Sequence, residues 1–202
     1  MSGIPILVAA GSVGALVVGG GAVAARKARA LSDAGARVRV IALEPGDAIR
    51  AMADEGRIEL VERAYAEGDV ADAELVVAAT DDRTVNAAVA AEARAMHRLV
   101  NVADAPEAGS FATMATHRSG GLVIGVSAGG VPGAAARIRD VIALRFDSRY
   151  ARALADLAAL RRTLVDRGDA PTWRALSSGL LDAEFCQAVE RDVLRDQVSA
   201  WQ

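Results

Sequence analysis

Gly19, Gly20 and Gly21, with Ala24 three residues on, give the spacing G-x-G-x-x-A. Each position has a physical task. The first glycine permits a tight turn, the second lets backbone approach a pyrophosphate, and the small third residue lets a helix pack close on a strand. Ala22 and Val23 then open a helix whose free N–H groups and positive dipole end face the phosphates. A plain turn would also fit, in a chain with 19 glycines. The flanks favour a dinucleotide: the apolar run Ala15–Val18 precedes the glycines, and a helical stretch follows that closes at Gly35.

Three further sets of residues could complete such a site. Leu43 and Glu44 end the next apolar run, at the distance from the glycines where dinucleotide folds put a carboxylate on the adenosine ribose. An acid there repels a 2′-phosphate and selects NAD over NADP. The other reading of Glu44 is a loop acid before Pro45. Thr80-Asp81-Asp82 is a helix N-cap cluster behind the buried run Glu74–Ala79. Asn101, Val102 and Asp104 lie at or beyond one more strand, and Asp104 is the carboxylate directly past it. As a turn residue before Pro106, Asp104 would do no chemistry.

These residues require elements to hold them. Strands are expected at Ala15–Val18, Arg37–Leu43, Arg57–Arg63, Glu74–Ala79 and Leu99–Val102. Helices are expected from Ala22 to Ala34, from Asp47 to Glu55 with a stop at Gly56, and from the Thr80 cluster to His97. Such alternation is the signature of a Rossmann-like parallel α/β sheet, whose ligands bind beyond the carboxyl ends of the strands. The glycines, Glu44, Thr80–Asp82 and Asn101–Asp104 then share one rim. Ile4–Val8 reads as an apolar run packing on the sheet edge, and Arg26, Lys27 and Arg29 as a solvated helix face.

After Ser110-Phe111 the pattern changes. Ala112–His117 and Leu122–Ser127 read as strands around Arg118–Gly121, and a helix follows from Gly133 to Phe146. From Asp147 on the chain reads as helices, with breaks at Gly168–Pro171 and near Gly179. Leu154, Leu157, Leu160 and Leu164 make a packing stripe. The expected division is therefore 1–111 for the NAD-binding domain, 112–146 for a small α+β segment, and 147–202 for a helical C-terminal domain.

Composition narrows the function. The chain has 202 residues, a net charge of -3 and 3% aromatic residues, so neither a basic field nor a stacking platform points to nucleic acid. The single cysteine, Cys186, excludes an internal disulfide and a multi-cysteine metal cage, and reads as a small core residue. Ser2–Ala25 is uncharged, but its glycines and the lack of a preceding basic residue do not fit a signal peptide, and strand-turn-helix accounts for it. The expectation is a soluble cytoplasmic protein with no membrane partner.

Several pieces in order resemble the precorrin-2 dehydrogenase / sirohydrochlorin ferrochelatase family, the N-terminal module of siroheme synthases. They are Val17–Ala28, Ala78–Asp82 with Val85-Asn86, Asn101–Pro106 with Ser110-Phe111, and Val126–Gly130, with Ile4-Pro5 at the opening. The resemblance implies an NAD-binding domain, a dimerisation segment at 112–146 and a helical C-terminal domain. It implies oxidation of precorrin-2 to sirohydrochlorin with NAD as hydride acceptor, and in many members insertion of ferrous iron. The family's acid in N-V-x-D falls on Asp104, and Ser127, Gly129 and Gly130 fall at the tetrapyrrole mouth. The implied assembly is a homodimer. Three positions depart from the family: Met114 replaces a proline, Ala128 a second hydroxyl, and Val131-Pro132-Gly133 follows the glycine pair where Ser-Pro is usual. The last two bear on metal insertion more than on hydride transfer. Two other functions suit the glycine loop: an NAD-sensing regulatory module without catalysis, and an NAD oxidoreductase for another small substrate.

Overall fold

A computed structural model of the chain describes residues 3–199 and 201. It forms two compact units, Met1–Thr113 and Met114–Gln202. In the first, strands β1 (Gly14–Val18), β2 (Arg37–Ala42), β3 (Glu59–Glu62), β4 (Leu75–Ala78) and β5 (Leu99–Val102) form one sheet in the order β3-β2-β1-β4-β5. Every pairing is parallel. Helices α1 (Ala22–Asp33), α2 (Asp47–Asp54) and α3 (Arg83–Ala95) supply crossovers.

Strand alternation divides the core. Ala15, Val17, Val38, Val40 and Val77 face one side with α1 and α2, while Leu16, Val18, Ile41, Val76, Val100 and Val102 face the other with α3. β1 is buried along its whole length because it pairs on both sides and is covered on both faces. α1 buries only alanines, Ala24, Ala25 and Ala28, which lets its axis lie close on the strands. The chain leaves β1 toward β2 and β3, then returns to β4 and β5. The order therefore reverses between β1 and β4, where open α/β sheets bind ligands.

The crossover from β3 to β4 has no helix. Its loop is pinned instead: the Arg63 guanidinium donates to both Asp69 oxygens at 2.7 and 2.6 Å, Arg39 donates to the Asp69 carbonyl at 2.8 Å, and Tyr65 donates to Glu92. Beside the outer edge of β5 the chain returns. Ser110 N–H donates to the Val100 carbonyl at 2.7 Å, and Val100 N–H donates to Ser110 Oγ at 2.8 Å.

Most expected bounds hold within one or two residues; four readings do not. Ile4, Ile6, Leu7 and Val8 are exposed and lie on no strand. Lys27 is half-buried instead of solvated, donating to Thr113 Oγ1 at 2.6 Å, and burial with Arg26 nearby holds its ammonium below its ordinary value. The strand expected from Ala112 starts later, since Phe111 and Thr113 are bonded to Asn101 and Lys27. The break expected near Gly179 falls after it.

In the second unit β6 (Ala115–Ser119) and β7 (Leu122–Val126) form an antiparallel hairpin with Gly120 in the left-handed region, φ +57°. Met114 lies over Gly125, filling the space a side chain there would take. Among the described residues five helices follow: α4 (Pro132–Arg145), α5 (Ser148–Asp166), α6 (Ala170–Leu180), α7 (Phe185–Glu190) and α8 (Val193–Ser199). Tyr150, Leu157, Leu160, Leu164, Val189, Leu194 and Val198 make its core, with Trp173 and Cys186 packed against it. Trp201 is exposed. Among the described residues no helix is long and apolar enough to cross a membrane.

Candidate functional site

The loop after β1 is clamped from both sides. Gly19 has φ +133°, and a Cβ there would overlap the Ala79 carbonyl at the end of β4. A Cβ on Gly20 would overlap the Glu44 carbonyl beyond β2. Hydrogen bonds fix the same contacts: Gly19 N–H donates to the Ile41 carbonyl at 2.9 Å and Gly46 N–H to the Gly20 carbonyl at 3.0 Å. Gly21 differs. A Cβ there meets nothing within 4 Å. It caps α1 with extended backbone, and among the described residues no side chain bonds the first-turn N–H groups of Ala22 and Val23. Ala24 is fully buried beneath. A helix N-terminus with its donors unspent and space before it suits a pyrophosphate.

Leu43 and Glu44 are exposed just past β2. The Glu44 carboxylate has no hydrogen-bond or ion-pair partner among the described residues, so it is free for a ribose hydroxyl. Past β4, Thr80 Oγ1 accepts from Asp82 N–H at 3.2 Å, and Asp82 caps α3 by accepting from Thr84 N–H at 2.7 Å. Asp81 is exposed on this turn. The residues expected to hold a dinucleotide therefore stand beyond adjoining strands of one parallel sheet.

Asn101 and Val102 are buried at the end of β5. Asn101 is 7% exposed; its Nδ2 donates to the Phe111 carbonyl at 3.0 Å and its Oδ1 is buried with no partner among the described residues. Such an orphaned acceptor is costly unless a donor arrives. Asp104, two residues beyond β5, keeps 30% of its side chain exposed, with Oδ2 3.6 Å from Arg83 Nε. Asp104 Oδ1 accepts from Asn86 Nδ2 at 2.9 Å. The sequence pattern around Val85-Asn86 marks no role for Asn86. The signal was present: it shares the buried stripe of α3 with Val89, Ala90 and Ala93, and a carboxamide on such a stripe needs partners.

In the second unit, Ser127, Gly129 and Gly130 lie between β7 and α4. Gly129 and Gly130 have φ +56° and +87°, and Val131 N–H donates to the Ala128 carbonyl at 2.8 Å, so both glycines are required by the turn itself. Ser127 is exposed. Among the described residues no group of three or more His, Cys, Asp or Glu could hold a metal ion.

Residues 7–115 match the family model described as "Putative NAD(P)-binding". The chain is 45% identical over 152 residues to the siroheme synthase of Pseudomonas paraeruginosa, covering 75% of this chain and 32% of that protein. It is 43% identical over 153 residues to that of Ectopseudomonas mendocina, again 75% and 32%. The chain thus spans about a third of the length of these curated relatives. Among solved structures it resembles SirC, precorrin-2 dehydrogenase, with a TM-score of 0.75 at 22% identity, covering 98% of this chain and 100% of that one. That likeness shows the fold: a parallel sheet with helices, a small antiparallel hairpin and a helical C-terminal region.

Proposed function

This chain belongs to the NAD(P)-binding family, and from that premise we propose that it oxidises precorrin-2 to sirohydrochlorin with NAD, in siroheme biosynthesis in the cytoplasm. Similarity to siroheme synthases supports the substrate. The observation that carries the chemistry is Asp104, a partly exposed carboxylate past β5 with, among the described residues, only Arg83 near its Oδ2.

Gly19, Gly20, Gly21, Ala22 and Val23 would hold the pyrophosphate, and Leu43 and Glu44 the adenosine ribose. Thr80, Asp81, Asn101 and Val102 would flank the nicotinamide half, where the orphaned Asn101 Oδ1 offers an acceptor. NAD, when bound, supplies the acceptor for a hydride. The oxidation also releases a proton, and Asp104 receives it. The second proposed step is insertion of ferrous iron, as substrate, into sirohydrochlorin. Two pyrrole protons must then leave, and the same carboxylate would take them in turn. Ser127, Gly129 and Gly130 would contact the tetrapyrrole.

The expected assembly is a homodimer through 112–146, beside the helical part 147–202. Its support is the outer face of α4, where Ile138, Val141 and Leu144 are exposed, the last two at 68% and 80%. The function is tested by following sirohydrochlorin absorbance with precorrin-2 and NAD, and again with NADP. No turnover with either cofactor defeats the reading. Equal turnover with both defeats the role of Glu44.

A further inference from the structure

Asn86 is 1% exposed, and its carboxamide is fully spent. Oδ1 accepts from Thr80 N–H at 3.0 Å and Thr80 Oγ1 at 2.8 Å. Nδ2 donates to the Thr80 carbonyl at 3.0 Å and Asp104 Oδ1 at 2.9 Å. Two donors and two lone pairs exhaust what an asparagine offers. Two partners are backbone groups whose roles cannot reverse: an N–H only donates and a carbonyl only accepts. They fix which end of the amide faces Asp104, and that end is the donor. The oxygen it meets must therefore be an acceptor.

We propose that Asn86 is a positioning residue for Asp104: it occupies Oδ1 and leaves Oδ2 as the oxygen that receives the proton. The role as a base rests on the function proposed above; the carboxylate's geometry does not. A buried hydrogen bond of this kind holds its carboxylate in one orientation. The other charged groups nearby hold it less firmly. Arg83, on the first turn of α3, is 89% exposed at 3.6 Å from Oδ2 and open to salt screening. Asp82, on the β4–α3 turn, spends its carboxylate on Thr84 and Val85 N–H groups. Asp81 on that turn and Glu107, on the short turn after β5, are exposed. Asn86 also ties two loops together. Through Thr80 the turn after β4 is linked to the carboxylate after β5, so a shift in one displaces the other.

The test is kinetic, with precorrin-2 and NAD, in the parent, Asn86→Ala and Asn86→Asp. Loss of the donor should lower kcat for precorrin-2 oxidation by about tenfold or more, with KM for precorrin-2 and NAD affinity within about twofold. Asn86→Asp should lower it further, because two carboxylates then face each other. An unchanged kcat in both variants overturns the proposal, as does a loss carried by KM alone. If neither variant folds, NMR of the cofactor-free protein decides: the Asn86 side-chain N–H resonances should move in Asp104→Ala, and their failure to do so overturns the proposal. A parent protein whose Asn86 resonances respond to Asp104→Ala but which does not oxidise precorrin-2 would reject the assigned reaction and leave the Asn86–Asp104 contact standing.

Discussion

A methyl group added at Gly20 would overlap the Glu44 carbonyl, whereas one added at Gly21 would meet nothing. The neighbouring glycines therefore serve different ends, and substitution separates them. Gly20→Ala should cost about 2 kcal/mol or more, lowering the melting temperature by roughly 4–8 °C for a chain of this size. Gly21→Asp should melt close to the parent yet lose NAD binding, because its carboxylate would stand where a pyrophosphate approaches the helix end. Thermal melts and calorimetric NAD titration read both. Asp104→Asn keeps the shape and removes the charge. It should leave NAD affinity intact and lower precorrin-2 oxidation by about a hundredfold, the scale of a lost general base. If iron insertion falls in parallel, one carboxylate serves both steps. Full oxidation by Asp104→Asn would make Asp104 a turn residue.

At the scale of elements, the helices of the second unit are joined through one carboxylate. Glu190 on α7 accepts from Arg145 Nε of α4 at 2.6 Å and from Tyr150 OH of α5 at 2.9 Å. The Arg145 bond first and the Tyr150 bond second hold Glu190 below its ordinary value of 4.5. A carboxyl depressed on folding stabilises above its unfolded value, and that stability is lost as pH falls through the folded one. Melting followed from pH 7 to pH 3 should show the parent above Glu190→Gln at neutral pH, with the difference closing below about pH 4.5. A constant difference would mean the side chain acts by packing alone. The alternation of strands and helices around the glycine loop was legible in the sequence because each carries its own period and stop, as at Gly35 and Gly56. What was illegible depended on partners far along the chain. Ala112 looks like the start of a strand, but the Phe111 carbonyl before it is bound by Asn101. Ile4–Val8 is apolar, yet hydrophobicity does not say whether a surface is vacant to receive it. Gly179 sits inside α6, since one glycine weakens a helix by only about 1 kcal/mol and tertiary packing can outweigh it. Of the candidate site, the glycines, Glu44 and Asp104 could be read from type and spacing. Asn86 could not be tied to Asp104, because nothing local joins residues 18 positions apart.

For the whole molecule, the exposed Val141 and Leu144 on α4 predict association with a second copy. Light scattering at micromolar concentration should give twice the chain mass of 20.8 kDa. Val141→Glu with Leu144→Glu should give the single-chain mass without loss of helix by circular dichroism, and a parent of single-chain mass contradicts the dimer. The closure of the outer β5 edge has a further consequence, for solubility. Unpaired strand edges recruit other strands and seed aggregates. Here the Val100 N–H and carbonyl are both engaged by Ser110. At the far side, β3 is four residues long and bears exposed Glu59 and Glu62. The five-stranded sheet thus presents neither a long nor an apolar edge to a passing chain. Copies of the chain can therefore meet through helical faces while their sheets stay separate, and Ser110→Ala, which frees the Val100 N–H and leaves its carbonyl engaged, is the single change that would first weaken that protection.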